Sequence, residues 1–135
     1  MECLYCPDDF VDQLTIITNG MFSKDGAQQI REHLTSHKYF LGLKLHRSPT
    51  WCETMESYKR EIFIPVYNAI YSWNFDVTFP KTKKEELYFK LTTYLYYLRQ
   101  NNPNVSIEEA SKNFCCAYGS NRKGKLLVNI LRKIS

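Results

Sequence analysis

The sequence predicts a mainly α-helical fold: a single compact helical domain with a small N-terminal element and at most one short pair of strands. Apolar residues recur at three- and four-residue spacings along most of the chain, which is typical of helices packed on one face. Two of these stretches follow a serine or threonine with glutamate three residues later, a signal for the start of a helix. Hydrophobic residues make up 44% and charged residues 24%, as in soluble globular proteins. We divide the 135 residues into an N-terminal element with its helix, 1–42, and a helical domain, 43–135.

The first predicted helix covers residues 23–40. Ser23 is placed to cap its N-terminus, and Asp25 lies in the first turn, where a negative charge is favourable. Gly42 is expected to end this helix, because glycine is common just after a helix C-terminus. The apolar stripe consists of Ile30, Leu34 and Leu41.

A second helical pattern covers residues 54–73, but Pro65 lies inside it. Proline lacks a backbone N–H, so either the helix kinks at this residue or it breaks and residues 61–67 are extended. The segment 75–79, "FDVTF", is the best candidate for a strand in the chain. The apolar positions of the helical pattern are Tyr58, Ile62, Val66, Ala69 and Trp73.

Three further helices are predicted in the C-terminal half, over residues 83–101, 107–118 and 125–134. The first two begin after capping boxes, in which a hydroxyl side chain and a glutamate each accept a hydrogen bond from a backbone N–H group. The capping pairs are Thr82 with Glu85 and Ser106 with Glu109. The apolar stripes are Leu87, Leu91, Tyr94, Leu95 and Leu98 on the first helix and Ile107, Ala110, Phe114 and Ala117 on the second.

The cysteines do not resemble a disulfide framework. There are five, arranged as the pair Cys3 and Cys6, the single Cys52, and the adjacent Cys115 and Cys116. Free thiols are typical of a reducing compartment, so we expect an intracellular protein of the cytoplasm or nucleus. No apolar stretch reaches the roughly 18 residues that a membrane span needs, and no secretory signal is evident, so no membrane association is expected.

The N-terminal cysteine pair has a matching pair of histidines. Cys3 and Cys6 are separated by two residues, which allows two thiolates in one turn to reach the same Zn²⁺ ion. His33 and His37 lie four residues apart on the first predicted helix, so both imidazoles project from one face. These four residues are the candidate metal ligands, with zinc as the candidate cofactor.

These residues resemble half-sites of the C2H2 zinc finger, and the resemblance is limited to residues 1–37. In that family an aromatic residue and an aliphatic residue pack beneath the metal, and Phe10 and Ile30 occupy the corresponding places. The spacing departs from the family, because 26 residues separate Cys6 from His33 where about 12 are usual. The extra residues, such as the segment 11–24, are expected to fold as a loop or hairpin.

The sequence also allows two alternatives to this set of four ligands. His46 or Cys52 could replace one of the four ligands, or the histidines could be ordinary surface residues beside an unrelated cysteine pair. If the finger docked on DNA as the family does, Gly26, Gln29 and Glu32 would face the bases. Only Gln29 suits base recognition, so the resemblance implies structural support or protein contact more than sequence reading.

The chain carries a net charge of +4, and its positive excess lies at the C-terminus. The last sixteen residues contain no acid and five candidate nucleic-acid-binding residues: Arg122, Lys123, Lys125, Arg132 and Lys133. They predict a helix that contacts phosphate groups or an acidic protein surface. The alternative is that they offset the helix dipole and keep the protein soluble. With the two helices before it, this segment also resembles a helix-turn-helix in layout.

No arrangement of nucleophile and base is evident, so we do not expect an enzyme. The first functional hypothesis is a small nucleic-acid-binding or regulatory protein with a structural zinc site. The alternative is a protein-interaction adaptor without nucleic-acid binding, such as a viral or mobile-element accessory factor. The chain is rich in Lys, Asn, Ile and Tyr, which is typical of proteins encoded by AT-rich genomes. Aromatic residues make up 15% of the chain, which indicates a surface for self-association or for a partner.

Overall fold

A computed structural model describes residues 6–119, and within this range it is helical without strands. The prediction of a mainly α fold is therefore confirmed. Cys3 and the predicted basic helix 125–134, with its five basic residues, lie outside the described residues. The helices are α1 (Pro7–Ile17), α2 (Lys24–Leu45), α3 (Trp51–Tyr58), a π-helical turn (Lys59–Phe63), α4 (Ile64–Ile70), α5 (Trp73–Thr78), α6 (Lys84–Asn101) and α7 (Ile107–Tyr118).

The chain divides into two compact units, and the boundary between them falls between Ile64 and Pro65. In the first unit α1, α2 and α3 pack against one another, and in the second α7 packs against α5 and α6. The division after residue 42 that we draw from the sequence stays a prediction.

The expectation of a loop or hairpin over residues 11–24 is wrong, because this segment begins as part of helix α1. Pro7 occupies the first helical turn, where its missing N–H costs nothing, and Asp8 and Asp9 add the negative charge that a helix N-terminus favours. Phe10, Val11 and Leu14 form the buried stripe of the helix.

Helix α2 begins where the sequence predicted and ends later. The Ser23 hydroxyl accepts a hydrogen bond from the Gly26 N–H at 3.1 Å, as expected for an N-cap. The prediction that Gly42 ends the helix is wrong, because α2 continues to Leu45 and His46 adopts the left-handed conformation with φ 58°. Gly42 instead allows a close approach: a Cβ there would lie 3.2 Å from the Arg47 carbonyl oxygen and from Pro49 Cδ.

The chain remains helical through Pro65, so the alternative of an extended segment over residues 61–67 is wrong. The π-helical turn precedes this proline, and its last hydrogen bond joins the Ile64 N–H to the Lys59 carbonyl. Single π-helical turns occur inside α-helices where the regular hydrogen-bond pattern is interrupted, and Pro65 supplies no N–H for that pattern.

The expected strand at residues 75–79 is also wrong, since most of this segment forms α5. The rings of Phe75 and Phe79 pack on Phe114 of α7, with centroids 5.8 and 5.3 Å away. Strand propensity depends strongly on context, and here packing against α7 decides the local structure.

Helix α7 follows its predicted stripe, and α6 follows its stripe in part, because Tyr94 and Leu98 are only half-buried. Leu87, Leu91 and Leu95 are buried on α6, and all four predicted positions of α7 are buried. The Ser106 hydroxyl accepts a hydrogen bond from the Glu109 N–H at 3.1 Å, which confirms this N-cap. The predicted N-cap of α6 is wrong, because α6 begins after Lys83 instead of Thr82.

Candidate functional site

The two predicted histidine ligands lie on one face of α2 and both contact α3. His33 Nδ1 lies 3.1 Å from the Tyr58 hydroxyl, and His37 Nε2 lies 2.8 Å from Ser57 Oγ. Both imidazoles also pack near the Tyr58 ring, with centroids at 6.2 and 5.7 Å. Ser57 Oγ in turn donates to the Glu61 carboxylate at 3.3 Å. The histidines therefore hold α2 against α3 through hydrogen bonds and ring contacts.

Burial changes the proton affinity of both histidines. Desolvation lowers the pKa of His33, opposed by the negative charge of Glu32. Desolvation also lowers the pKa of His37, with Glu61 acting to raise it and Lys44 to lower it further. Both rings therefore favour the neutral form.

The cysteine half of the predicted metal site begins at Cys6, which caps α1. Its backbone N–H and its Sγ–H both donate to Asp9 Oδ2, at 3.2 and 3.3 Å. Among residues 6–119, no group of three or more histidine, cysteine or acidic side chains is arranged to hold a metal ion. Since Cys3 lies outside this range, the four-ligand zinc site stays a prediction.

The two packing residues of the finger-like pattern are buried, and Tyr58 packs against one of them, Phe10. Phe10 is 4% exposed and Ile30 is fully buried. The Phe10 ring packs edge-on against Tyr58, with centroids 6.3 Å apart and planes at 82°. The sequence placed Tyr58 on an apolar helix face, but not at the meeting point of α1, α2 and α3, which only tertiary packing defines.

Helix α2 continues for about three turns beyond its last buried residue, Leu34. Along these turns Tyr39 is 64% exposed, Phe40 65% and Leu43 57%. Successive side chains turn by about 100°, so Tyr39 and Leu43 are neighbours on one face and Phe40 lies beside them. The Tyr39 and Phe40 rings meet edge to face with centroids 5.4 Å apart. We call these three residues the α2 surface.

The α2 surface is absent from the sequence-based predictions above, although the sequence of α2 contains a signal for it. Beyond Leu34, the apolar residues occupy several sides of α2 instead of the single stripe that a one-sided helix needs.

A shallow groove of about 460 Å³ lies beside the α2 surface. One wall is the helix itself, and the other is the loop that follows it, packed onto Gly42. The groove is lined by Thr35, Lys38, Tyr39, Gly42, Leu43, Arg47, Ser48 and Pro49.

Two basic side chains at this groove are held in place. Lys38 Nζ donates to Ser48 Oγ at 3.4 Å and lies 5.5 Å from the centre of the Trp51 ring. Arg47 forms two hydrogen bonds with the Glu53 carboxylate, at 3.0 and 2.5 Å. The paired guanidinium and the Thr50 N–H lower the pKa of Glu53 to about 2.

The aromatic residues of α6 divide between the core and the surface. Tyr88 is fully buried, whereas Tyr97 is 54% exposed. Tyr94 contacts the rings of Phe114 and Tyr118 within the second unit. A common aromatic surface on α6 is therefore smaller than the number of its tyrosines suggests.

No helix in residues 6–119 combines the length and the apolar composition needed to cross a membrane. No protein-family model matches the chain, and neither curated proteins nor solved structures give a match. Any assignment of function therefore depends on the chemistry of the chain itself.

Proposed function

We propose that this chain is a small non-enzymatic interaction protein that binds another protein through the α2 surface. The observation that carries the proposal is the exposure of Tyr39, Phe40 and Leu43 side by side. Large apolar side chains that are exposed next to one another are typical of interaction sites, whereas apolar residues exposed singly are common on any protein surface. Aromatic residues are also enriched in interfaces.

The length of α2 supports this proposal. Short helices are marginal in water, and most helical stability in proteins comes from burying an apolar face. Past Leu34 the helix runs on for 11 residues, Thr35–Leu45, without a buried residue. These turns are packed only in part, by the contact of His37 with α3 and by the loop at Gly42, and a partner that covers the α2 surface would bury their outer side.

The four described cysteines are free, which agrees with the proposed intracellular setting in the cytoplasm or nucleus. An accessory or host-interaction role in a virus or mobile element would fit an amino-acid composition that is typical of AT-rich genomes.

A peptide selection tests the proposal. The purified chain is used as bait against a displayed library of random peptides, and the binding of enriched peptides is measured by fluorescence anisotropy. Tyr39→Ser and Leu43→Ser should each weaken binding by about tenfold or more, as for central apolar contacts of an interface. Tyr97→Ser, which alters an exposed tyrosine of α6, is the matched control and should bind like the wild type. Failure to enrich any peptide, or equal binding by all variants, would contradict the proposal.

Nucleic-acid binding is the second candidate, favoured by the charge distribution. Outside the last sixteen residues the chain has 13 basic and 14 acidic residues, so its positive excess comes from Arg122, Lys123, Lys125, Arg132 and Lys133. The test is binding to generic duplex DNA at increasing salt, where phosphate contacts should weaken steeply. An absence of binding at low salt would eliminate this candidate.

The structural zinc site is part of the second candidate function, nucleic-acid binding, and a separate experiment tests it. Elemental analysis of the purified chain should find one zinc per molecule if Cys3, Cys6, His33 and His37 bind the metal together. Cys3→Ser should lose that zinc, whereas Cys116→Ser, a change at an exposed thiol of α7, should retain it. A fully folded chain without metal would eliminate the site.

A further inference from the structure

We infer that the α2 surface and its groove bind an acidic peptide segment that carries apolar side chains. This inference depends on the proposed function and adds the chemistry of the partner. Four features support it: the shape of the groove, its apolar side, its charge, and the cost of the alternative in which two copies of the chain meet.

The groove has a fixed wall and an apolar side. The loop lies so close to the helix at Gly42 that even a methyl group would have to displace it, and Pro49 is buried against the helix. Tyr39 and Leu43 line the groove from the helix side while their side chains remain mostly exposed. An apolar side chain of a partner could rest between this wall and these residues, as helical peptides do in apolar grooves.

The charge around the groove is positive. The residues that line the groove include Lys38 and Arg47 and no acidic residue, and Lys44 lies one turn after Phe40 on α2. Glu53 compensates Arg47 through its two hydrogen bonds. Lys38 contacts a serine hydroxyl and an indole ring, neither of which carries a negative charge. Two lysines of α2 therefore lie next to the apolar residues, Lys38 at the groove and Lys44 one turn beyond Phe40, and would attract carboxylates of a partner.

A second copy of the chain is a poorer occupant. In a two-fold dimer the same patch faces itself, so Lys38 and Lys44 of one copy would approach the lysines of the other. Like charges brought together at an interface are unfavourable. A segment with apolar side chains and flanking glutamates or aspartates would cover the apolar residues of the groove and would also pair with the lysines.

The test uses peptides enriched in the selection described above. We expect them to carry an excess of acidic over basic residues, and their affinity to fall as salt rises. A synthetic copy of the strongest peptide in which each Glu is replaced by Gln and each Asp by Asn should bind about tenfold more weakly. Lys38→Gln combined with Lys44→Gln should weaken binding of the acidic peptide by a similar factor. The same double variant should not weaken binding of the neutral copy.

Lys112→Gln, a change at an exposed lysine of α7, is the matched control and should bind both peptides like the wild type. Thermal unfolding of every variant shows that the chain is folded. Peptides that need Tyr39 and Leu43 but carry no acidic excess would overturn this inference and leave the proposed function standing. Failure to enrich any peptide would contradict both. Self-association in sedimentation equilibrium that Leu43→Ser abolishes would identify a second copy as the occupant and overturn the inference.

Discussion

Tyr58 connects the three helices of the first unit. Its side chain is fully buried, its ring packs against Phe10 of α1, and its hydroxyl meets His33 of α2. Burying a hydroxyl is costly unless it is hydrogen-bonded, and through this contact His33 turns its Nδ1 toward α3.

The hydroxyl of Tyr58 can be removed without opening a large cavity. Tyr58→Phe should reduce the free energy of unfolding by about 1–2 kcal/mol, because the hydrogen bond between the Tyr58 hydroxyl and His33 Nδ1 is lost. Urea unfolding measures this difference. Tyr97→Phe, at an exposed tyrosine, should change stability by less than about 0.5 kcal/mol. Equal effects of the two substitutions would contradict the role of the Tyr58 hydroxyl.

The lowered pKa values of His33 and His37 predict a pH dependence of stability. In the unfolded chain each histidine recovers its ordinary pKa of 6.5, so the unfolded state binds protons more readily. The contribution of the neutral rings is fully present above pH 6.5 and is lost as the pH falls below it. Urea unfolding should therefore show stability decreasing from about pH 7 to about pH 5.5.

Two variants separate these rings from other titrating groups. His37→Gln should reduce the slope of stability against pH, since one of the two rings is gone. His46→Asn alters an exposed residue after α2 and should keep the wild-type slope. Stability that increases on acidification, or an unchanged slope in His37→Gln, would contradict the prediction.

Among the helices, the two predicted capping boxes make a matched comparison. Ser106→Ala should cost about 1 kcal/mol, because the Glu109 N–H loses its side-chain acceptor. Thr82→Ala should cost clearly less, since α6 begins after Lys83 and has no side-chain cap hydrogen bond there. Thermal or urea unfolding of both variants measures the two losses of stability. A larger loss for Thr82→Ala than for Ser106→Ala would contradict the expectation and would support the predicted capping box of Thr82 and Glu85.

The sequence predicted helices where one strong stripe coincides with clear end signals. Helix α7 meets both conditions, and its N-cap and buried face agree with the prediction. Segment 75–79 does not, because its residue types favour a strand while contact with Phe114 makes it helical. Glycine serves both at helix ends and where a loop approaches a helix closely. The sequence predicted the first role for Gly42, and the structure shows the second.

The candidate site was only partly predictable for a similar reason. The four-residue spacing of His33 and His37 places both on one face of any helix, and that part of the prediction is confirmed. Their partners come from α3, with Tyr58 25 residues after His33 and Ser57 20 residues after His37, and no spacing rule gives these contacts. The exposure of the α2 surface likewise depends on where the packing between α2 and α3 ends.

For the whole molecule, the contrast between core and surface leucines gives the clearest stability prediction. Leu91 is fully buried in the second unit, and Leu91→Ala should cost about 2–5 kcal/mol through lost contacts and a cavity. That is a large part of the roughly 5–15 kcal/mol typical of a whole domain. Leu43→Ala, at 57% exposure, should change stability by less than about 0.5 kcal/mol. A large loss at Leu43 in urea unfolding would mean that this residue is buried in solution.

The continuation of α2 past Leu34 also has a consequence for the exchange of amide hydrogens with solvent. Local opening needs the least free energy where few apolar contacts resist it, so protection should be high near Ile30 and should decrease toward Leu45 within a single helix. Hydrogen–deuterium exchange resolved by residue measures this gradient. A peptide bound to the α2 surface should slow exchange in the last turns, whereas uniform protection along the free helix would contradict the expectation.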